Sequence, residues 1–413
     1  MELQDVNLAD AQLWGSGRHW EALRTLRRQA PVWRHPDPGG VGPWVLTRHR
    51  HIVHVSREWG SFSSERDRGG VSGFLSNTRE GAKLAVSHPR FGHMFVEMDP
   101  PTHGKFRRAI LPKFGPAAVR RLEDKVREIA ERLVAEVVEQ GEVDFVRALA
   151  TELPLQVVAE LMGVPAEDRA ALFVHVMATD GAGDVEIQQR IDSFDALRAY
   201  SKKMVAARRT TPTDDAMGLL ARAEVDGEPI SELDQQAQFS MMWSAGAETT
   251  RATMTAAMTA FAADPGAYTE IAENPELLRG SALEEMLRWA SPIVSFRRNA
   301  VTDVELDGQV IEAGETVAMY YPSANRDEET FESPDTFDIH RDPNPHLAFG
   351  GGGPHFCVGA PIARMQVRVL FEELTKRVRS VELVGKPRRA AKANVNSIVE
   401  LPVRLRPALA HRS

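Results

Sequence analysis

A single cysteine, Cys357, lies in a glycine-rich stretch, FGGGGPHFCVG, and is the only thiol among 413 residues. The glycines Gly350 to Gly353 allow positive φ angles and close approach of the backbone to a flat partner. An apolar pattern that starts at Pro361 predicts a helix just after the cysteine, and a helix N-terminus lowers a thiol pKa. The stretch therefore suits a nucleophilic thiolate or a ligand of a metal cofactor. A lone cysteine is more often a small buried hydrophobe, and that alternative stays open here.

A second stretch, AGAETTR, spans Ala245 to Arg251 in the middle of a long helical pattern. Gly246 disfavours a helix by about 1 kcal/mol relative to alanine, and threonines compete for local backbone hydrogen bonds. We therefore predict a local distortion of this helix beside Glu248 and Thr249. The alternative is an ordinary helix that tolerates these residues.

Two further pairs have helical spacing. His103 and Arg107 follow the helix-start signal DPP and fall on one helix face, where two cations could bind an anionic group. Glu285 and Arg288 are also neighbours on a predicted helix. Taken alone, either pair could be solvated surface charge.

The elements that must position these residues are mainly helices. Apolar periodicity predicts helices over 18–30, 116–139, 144–162, 231–263 and 361–378, with short strands and hairpins between them. Residues 61–97 have no periodicity, and a long irregular segment in a compact domain is usually functional or mobile.

Composition excludes several classes of protein. An apolar fraction of 43% and a net charge of −8 fit an ordinary globular surface and argue against nonspecific nucleic-acid binding. One cysteine excludes an intrachain disulfide and a multi-cysteine metal site. The N-terminal residues lack the pattern of a signal peptide, and no apolar run approaches the roughly 20 residues of a membrane span. We expect a cytoplasmic protein with no membrane span.

The cysteine stretch resembles the haem-binding loop of the cytochrome P-450 family, specifically its soluble bacterial, ferredoxin-dependent members. The matching positions are Phe349, Gly350, Gly353, His355, Cys357 and Gly359. Phe349 lies one residue further from the cysteine than in the common bacterial form, as in some actinobacterial sterol, branched-lipid and terpene hydroxylases. The resemblance spans about residues 20 to 405. It implies one domain over 1–413, with 1–18 a loosely ordered tail.

The resemblance implies a mainly α fold with small β-sheets and haem b between the long distal helix and the cysteine-loop helix. Cys357 would be the axial ligand of the haem iron. The cofactor would also contact residues elsewhere in the chain, which are His103, Arg107, Ala245 and Arg298.

The same resemblance implies roles for residues on the oxygen-binding side of the haem, for a structural network and for the substrate pocket. Thr249 would hydrogen-bond the oxygen that is activated, and Glu248 would relay protons to it. Glu285, Arg288 and Arg341 would form a buried structural network. The residues implied to line the substrate pocket are Phe74, Phe91, Phe95, Ile293, Val294, Phe296 and Ile398.

The implied activity is insertion of one atom of O₂ into a C–H bond. Electrons would come from NAD(P)H through a ferredoxin reductase and a ferredoxin. The first substrate hypothesis is a steroid, terpenoid or fatty-acyl compound. The second is natural-product tailoring of a polyketide or a carrier-protein-bound amino acid.

Two other classes are less compatible with the sequence. A non-catalytic haem sensor has no need for the pair Glu248 and Thr249. A peroxide-using relative would replace that pair.

Overall fold

The computed structural model describes residues 1–37, 40–71, 92–179 and 186–408. Within these ranges the chain is mainly helical, with small sheets, as the sequence predicts. The α-helices are Ala11–Gly15 (α1), His19–Gln29 (α2), His49–Arg57 (α3), Thr102–Ile110 (α4), Pro116–Gln140 (α5), Glu152–Met162 (α6), Ala166–Thr179 (α7), Ile187–Thr210 (α8), Ala216–Ala221 (α9), Glu232–Ala263 (α10), Pro265–Glu273 (α11), Ser281–Ala290 (α12), Tyr321–Ala324 (α13) and Ala360–Arg377 (α14).

The strands form one five-stranded sheet and several smaller pairings. They are Val32–Asp37 (β1), Gly40–Leu46 (β2), Phe62–Ser63 (β3), Glu142–Asp144 (β4), Glu224–Val225 (β5), Glu228–Pro229 (β6), Ser295–Ala300 (β7), Val304–Leu306 (β8), Gln309–Ile311 (β9), Thr316–Tyr320 (β10), Val378–Leu383 (β11), Arg388–Arg389 (β12), Ile398–Glu400 (β13) and Pro402–Pro407 (β14). The large sheet has the order β1-β2-β10-β7-β3, and a three-stranded sheet has the order β11-β14-β4. In the large sheet, β10 runs parallel to β2 and antiparallel to β7. The pairs β5-β6, β8-β9 and β12-β13 are separate.

Helix α10 is the central element of the helical part. Ser231 caps its start by accepting a hydrogen bond from the backbone N–H of Asp234. Its 32 residues give a length of roughly 48 Å. Buried side chains along its length, including Phe239, Trp243 and Phe261, pack into the main core. The helix is therefore fixed along its length and can present its middle to a cavity.

Helix α14 follows the cysteine loop and packs against α5. Arg127 on α5 donates to Glu372 at 2.6 Å and to Glu373 at 2.8 Å. Both carboxylates are buried. These contacts hold the C-terminal half of α14 against α5.

The N-terminal residues correct one expectation. Instead of a loose tail, residues 1–18 contain α1 and are packed. Leu8 is fully buried, and the indole of Trp14 donates to its carbonyl oxygen at 3.0 Å. The Trp14 ring also stacks on His19 with centroids 4.7 Å apart. The short, polar-rich segment gave little periodic signal, but its few large apolar groups suffice to anchor it.

Among the described residues, no helix combines the length and apolar character that a membrane crossing needs. Part of the irregular segment predicted over 61–97 is described and contains β3 and two short 3₁₀ turns. The predicted pocket residues Phe74 and Phe91 lie outside the described residues.

Candidate functional site

The cysteine loop owes its shape to its glycines. Gly350, Gly352 and Gly353 have φ angles of 98°, 93° and 72°, which disfavour any other residue. Gly351 has no such angle, but a Cβ there would lie 2.6 Å from the Ser56 Oγ on α3. The loop thus combines left-handed turns with a close approach to α3, as the glycine run predicts.

This loop delivers Cys357 to the wall of a cavity. The cysteine N–H donates to the Phe349 carbonyl at 3.0 Å, and Sγ is open to the cavity. Burial within the protein raises the pKa of the thiol, although the N–H groups of Gly359 and Ala360 and the charge of Arg107 act in the opposite direction. The predicted lowering of the Cys357 pKa by the helix start is therefore wrong as a net effect, because desolvation outweighs it.

The cavity has a volume of about 860 Å³ and extends from the cysteine loop to the middle of α10. Ala245, Gly246, Glu248 and Thr249 line it from α10. The thiol and the acid–threonine pair therefore share one cavity, although Thr249 and Cys357 are 108 positions apart in the sequence. This is the arrangement that the two motifs jointly imply.

Helix α10 shows no interruption at the predicted distortion. It is continuous from Glu232 to Ala263. A Cβ on Gly246 would lie 2.7 Å from Val158 on α6, so the glycine permits close helix packing. The Thr249 hydroxyl donates to the Ala245 carbonyl at 2.7 Å. The unusual composition therefore serves packing and a local side-chain hydrogen bond, not a break.

Glu248 is a buried carboxylate at the same cavity. It accepts a hydrogen bond from Arg251 Nη2 at 3.3 Å, one helical turn along α10. Lys392 Nζ, between β12 and β13, lies 3.7 Å from the same carboxylate. The two cations balance the buried charge and hold the acid at the cavity wall.

A group of basic side chains lines the cavity on the cysteine side. Arg298 on β7 is buried, and its Nη1 donates to the Arg297 carbonyl at 2.7 Å. Arg107 on α4 donates to the Pro354 carbonyl at 3.4 Å. Burial lowers the pKa of both guanidinium groups, which reflects the cost of placing cations there.

Two histidines lie beside these arginines, and one of them lines the cavity. His355 lines the cavity, and its Nε2 is 3.1 Å from the Ser64 hydroxyl. His103 lies directly behind it, with ring centroids 4.3 Å apart, and is not itself on the cavity wall. Burial, followed by nearby cations, lowers the pKa of His355 to about 2 and that of His103 to about 4.

These basic side chains fit an anionic, flat cofactor. The Nδ1 of His355 and the Nε2 of His103 are buried without hydrogen-bond partners. In the described ranges, Arg107 and Arg298 form no ion pair with a carboxylate. Because uncompensated buried cations are costly, a bound group carrying two carboxylates would satisfy them. The two propionates of a haem would match this requirement, and Cys357 would then be available to bind its iron.

The predicted structural network surrounds Glu285. Arg288 donates to both carboxylate oxygens of Glu285 at 2.7 Å, and Arg341 Nε donates to one at 3.1 Å. Glu285 and Arg288 are fully buried. Arg288 and Arg341 both donate to the Thr336 carbonyl. The network therefore fixes the irregular segment that precedes the cysteine loop.

Comparison with known proteins places the chain in a family. Residues 185–389 match the model of the family described as Cytochrome P450. The steroid C26-monooxygenase of Mycolicibacterium smegmatis is 37% identical over 95% of this chain and 92% of its own length. The methyl-branched lipid omega-hydroxylase of Mycobacterium tuberculosis is 36% identical over 97% of this chain and 95% of its own.

The chain belongs to the cytochrome P450 family. A solved Mycobacterium marinum cytochrome P450 in complex with pseudoionone superimposes with a TM-score of 0.88 at 33% identity, covering 97% of this chain and 98% of that one. The predicted family and P450 fold are confirmed. The protein is a haem-thiolate monooxygenase, which needs haem, O₂ and reducing equivalents from redox partners. A purely sensory haem protein is thereby disfavoured.

Within this P450, the predicted pocket residues divide into two groups. Phe95, Ile293 and Phe296 line the cavity. Val294 instead packs into the cluster around the N-terminal residues, because successive side chains of an extended segment point to opposite sides. Ile398 on β13 packs in the main core, and neither Val294 nor Ile398 is among the residues that line this cavity.

Sequence reasoning missed several residues of the P450 cavity. Val157, Leu161 and Met241 line it but follow the same apolar periodicity as core residues. Lys392 and Arg190 also line it. A basic residue in a hairpin or near a helix start resembles an ordinary surface charge, so only the fold reveals these two.

Proposed function

We propose that this P450 hydroxylates an apolar, lipid-like substrate. One atom of O₂ enters a C–H bond, and the other leaves as water with two electrons and two protons. The observation that carries the proposal is the shared cavity, with Cys357 on one wall and the pair Glu248 and Thr249 on another. The apolar side chains that line the remainder of the cavity favour a hydrophobic ligand.

We propose haem b as the cofactor, with Cys357 as the residue that would bind its iron. When bound, the haem would supply O₂ binding and activation, and the Cys357 thiolate would donate electron density to it. Arg107 and Arg298 would neutralise its carboxylates, and His355 on the cavity wall would contribute a hydrogen bond, with His103 packed behind it. The glycine loop positions Cys357, because its backbone is fixed against α3.

The proton path is assigned to two residues of α10. The Thr249 hydroxyl, now donating to the Ala245 carbonyl at 2.7 Å, can turn to hold a proton at the cavity wall. The Glu248 carboxylate, supported by Arg251 and Lys392, can accept a proton and pass it toward that hydroxyl.

The substrate class is inferred from similarity and from the cavity. Two relatives with high coverage are named for oxidation of a steroid and of a methyl-branched lipid. A structural neighbour holds the terpenoid-like ketone pseudoionone. A steroid, terpenoid or fatty-acyl compound is therefore the first choice for this chain.

The electron donor is inferred to be a ferredoxin reduced by NAD(P)H through a ferredoxin reductase. Arg108, Arg120 and Arg121 are exposed on α4 and α5 and form no ion pairs within the described part of the chain. Arg107, beside Arg108, contacts the cysteine loop. An acidic ferredoxin could dock there, close to the thiolate. We propose that this electron transfer takes place in the cytoplasm.

The test is reconstituted turnover with ferredoxin, reductase and NAD(P)H. Cholest-4-en-3-one, isopalmitic acid, pseudoionone and a carrier-protein-bound amino acid are supplied separately under isotopically labelled O₂. The proposal predicts a singly labelled hydroxylated product from at least one lipid. Product only from the carrier-bound substrate would overturn the lipid assignment in favour of natural-product tailoring.

A further inference from the structure

A lone arginine lies on the substrate side of the cavity. Arg190 is in the first turn of α8 and lines the cavity together with Thr179, the last residue of α7. Three residues later on α8, the Ser193 hydroxyl lies 3.2 Å from His175 Nδ1 on α7. Arg190 is therefore held beside the C-terminal turn of α7, on a wall distinct from the cysteine loop.

The other charged groups of the cavity have partners or a place in the haem site. Glu97 pairs with Arg66, and Glu248 lies between Arg251 and Lys392. The cations near Cys357, Arg107 and Arg298, would pair with the haem carboxylates.

Arg190 differs from all of these. Across the described residues its side chain forms no ion pair and no hydrogen bond, and its Nε is buried without an acceptor. Apolar side chains, among them Leu161 and Met241, line the same cavity. A buried donor without a partner costs about 1–3 kcal/mol, so a ligand that supplies an acceptor gains this energy on binding.

We propose that Arg190 binds the carboxylate of the substrate. The planar guanidinium matches a carboxylate with two parallel hydrogen bonds. This inference rests on the proposed function and narrows its substrate class to a long-chain or branched carboxylic acid. The acid group would lie at Arg190 and the apolar tail would extend toward Cys357, so oxidation falls on the tail, away from the carboxylate. A neutral sterol would leave Arg190 unpaired.

Optical titration of the ferric, haem-loaded protein tests this with a matched pair of probes. Isopalmitic acid carries the carboxylate, and its methyl ester has the same tail without the charge. At pH 8 we expect the wild-type protein to bind the acid about tenfold more tightly, the scale of one ionic hydrogen-bonded contact. Arg190→Gln should remove this preference by weakening only the acid, and Arg190→Lys should restore part of it.

Arg209→Gln is the matched control, because Arg209 is exposed on the same helix. It should keep the wild-type preference for the acid. Equal affinities of acid and ester in the wild type, a preference retained by Arg190→Gln, or no spin-state shift with the acid would each overturn the subsite. If the wild-type protein oxidises cholest-4-en-3-one but fails these titration tests, the carboxylate site at Arg190 is overturned. The assignment as a monooxygenase then still stands.

Discussion

Thr249 is the residue to which we assign proton handling at the α10 wall of the cavity. It lines the cavity and donates to the Ala245 carbonyl one turn before it. Thr259 makes the same type of bond, to the Thr255 carbonyl at 2.7 Å, but is not on the cavity wall. The two threonines thus share the same local hydrogen bond and differ in their access to the cavity.

Thr249→Ala should leave haem binding intact and divert electrons to peroxide and water, because a proton-holding group is lost. We expect NAD(P)H consumed per product to rise by about tenfold or more. Thr259→Ala should keep the wild-type ratio. Unchanged coupling in Thr249→Ala would show that this hydroxyl does not serve the oxygen side.

Arg107 and Arg108 are adjacent but face different surroundings. Arg107 lines the cavity, whereas Arg108 is exposed. Arg107→Gln should release haem to apomyoglobin about tenfold faster, because a haem carboxylate loses a charged partner. Arg108→Gln should release haem at the wild-type rate. Equal rates in both variants would contradict the assignment of Arg107 to the haem site.

At the scale of elements, the network at Glu285 joins α12 to the segment before the cysteine loop. Glu285 is fully buried and bonds two arginines, whereas Glu276 is exposed and lies 3.7 Å from Arg279. The Glu285 network is buried and therefore strongly coupled to the fold, whereas the exposed pair of Glu276 and Arg279 contributes little to stability.

Glu285→Gln leaves two buried guanidinium groups without a countercharge. It should lower the free energy of unfolding by about 3–5 kcal/mol, measured by urea titration of the haem-loaded protein. Glu276→Gln should change that free energy by less than about 0.5 kcal/mol. Similar losses in the two variants would contradict a stabilising role of the network.

The sequence predicted elements well where periodicity was long, and it predicted site positions well where motifs were compact. The bounds of α5, α10 and α14 agree with their predictions within two residues, since each buries a regular apolar face. The shape of the cysteine loop followed from its glycine run, which needs little information about the rest of the fold. The Glu285 network was implied only by the family resemblance, because Glu285 and Arg288 taken alone could be solvated surface charge.

Other features depend on three-dimensional context that a pattern does not contain. The side on which Val294 points depends on the pairing of neighbouring segments, and the net pKa shift of Cys357 depends on burial. Lys392 reaches Glu248 only because the last hairpin folds against α10. The packing of residues 1–18 likewise depends on partners distant in sequence.

At the scale of the whole molecule, the net charge is negative, yet exposed arginines occur on the helices beside the cysteine loop. Arg120→Glu should slow electron transfer from an acidic ferredoxin by about tenfold at low salt and less at high salt, since screening weakens steering. Stopped-flow reduction under carbon monoxide measures this rate. Arg132→Glu, where the arginine pairs with Glu136 on the same helix, should have a smaller effect. No difference between the variants would contradict docking at this surface.

Thiolate ligation of haem by Cys357 is the central claim, and the carbon-monoxide spectrum of the reduced protein tests it most directly. The wild-type protein should show the red-shifted Soret band of thiolate-ligated haem. Cys357→Ser should lose that band while retaining bound haem, because the basic side chains around the cavity are intact. Retention of the band in Cys357→Ser, or its absence from the wild-type protein, would contradict the account.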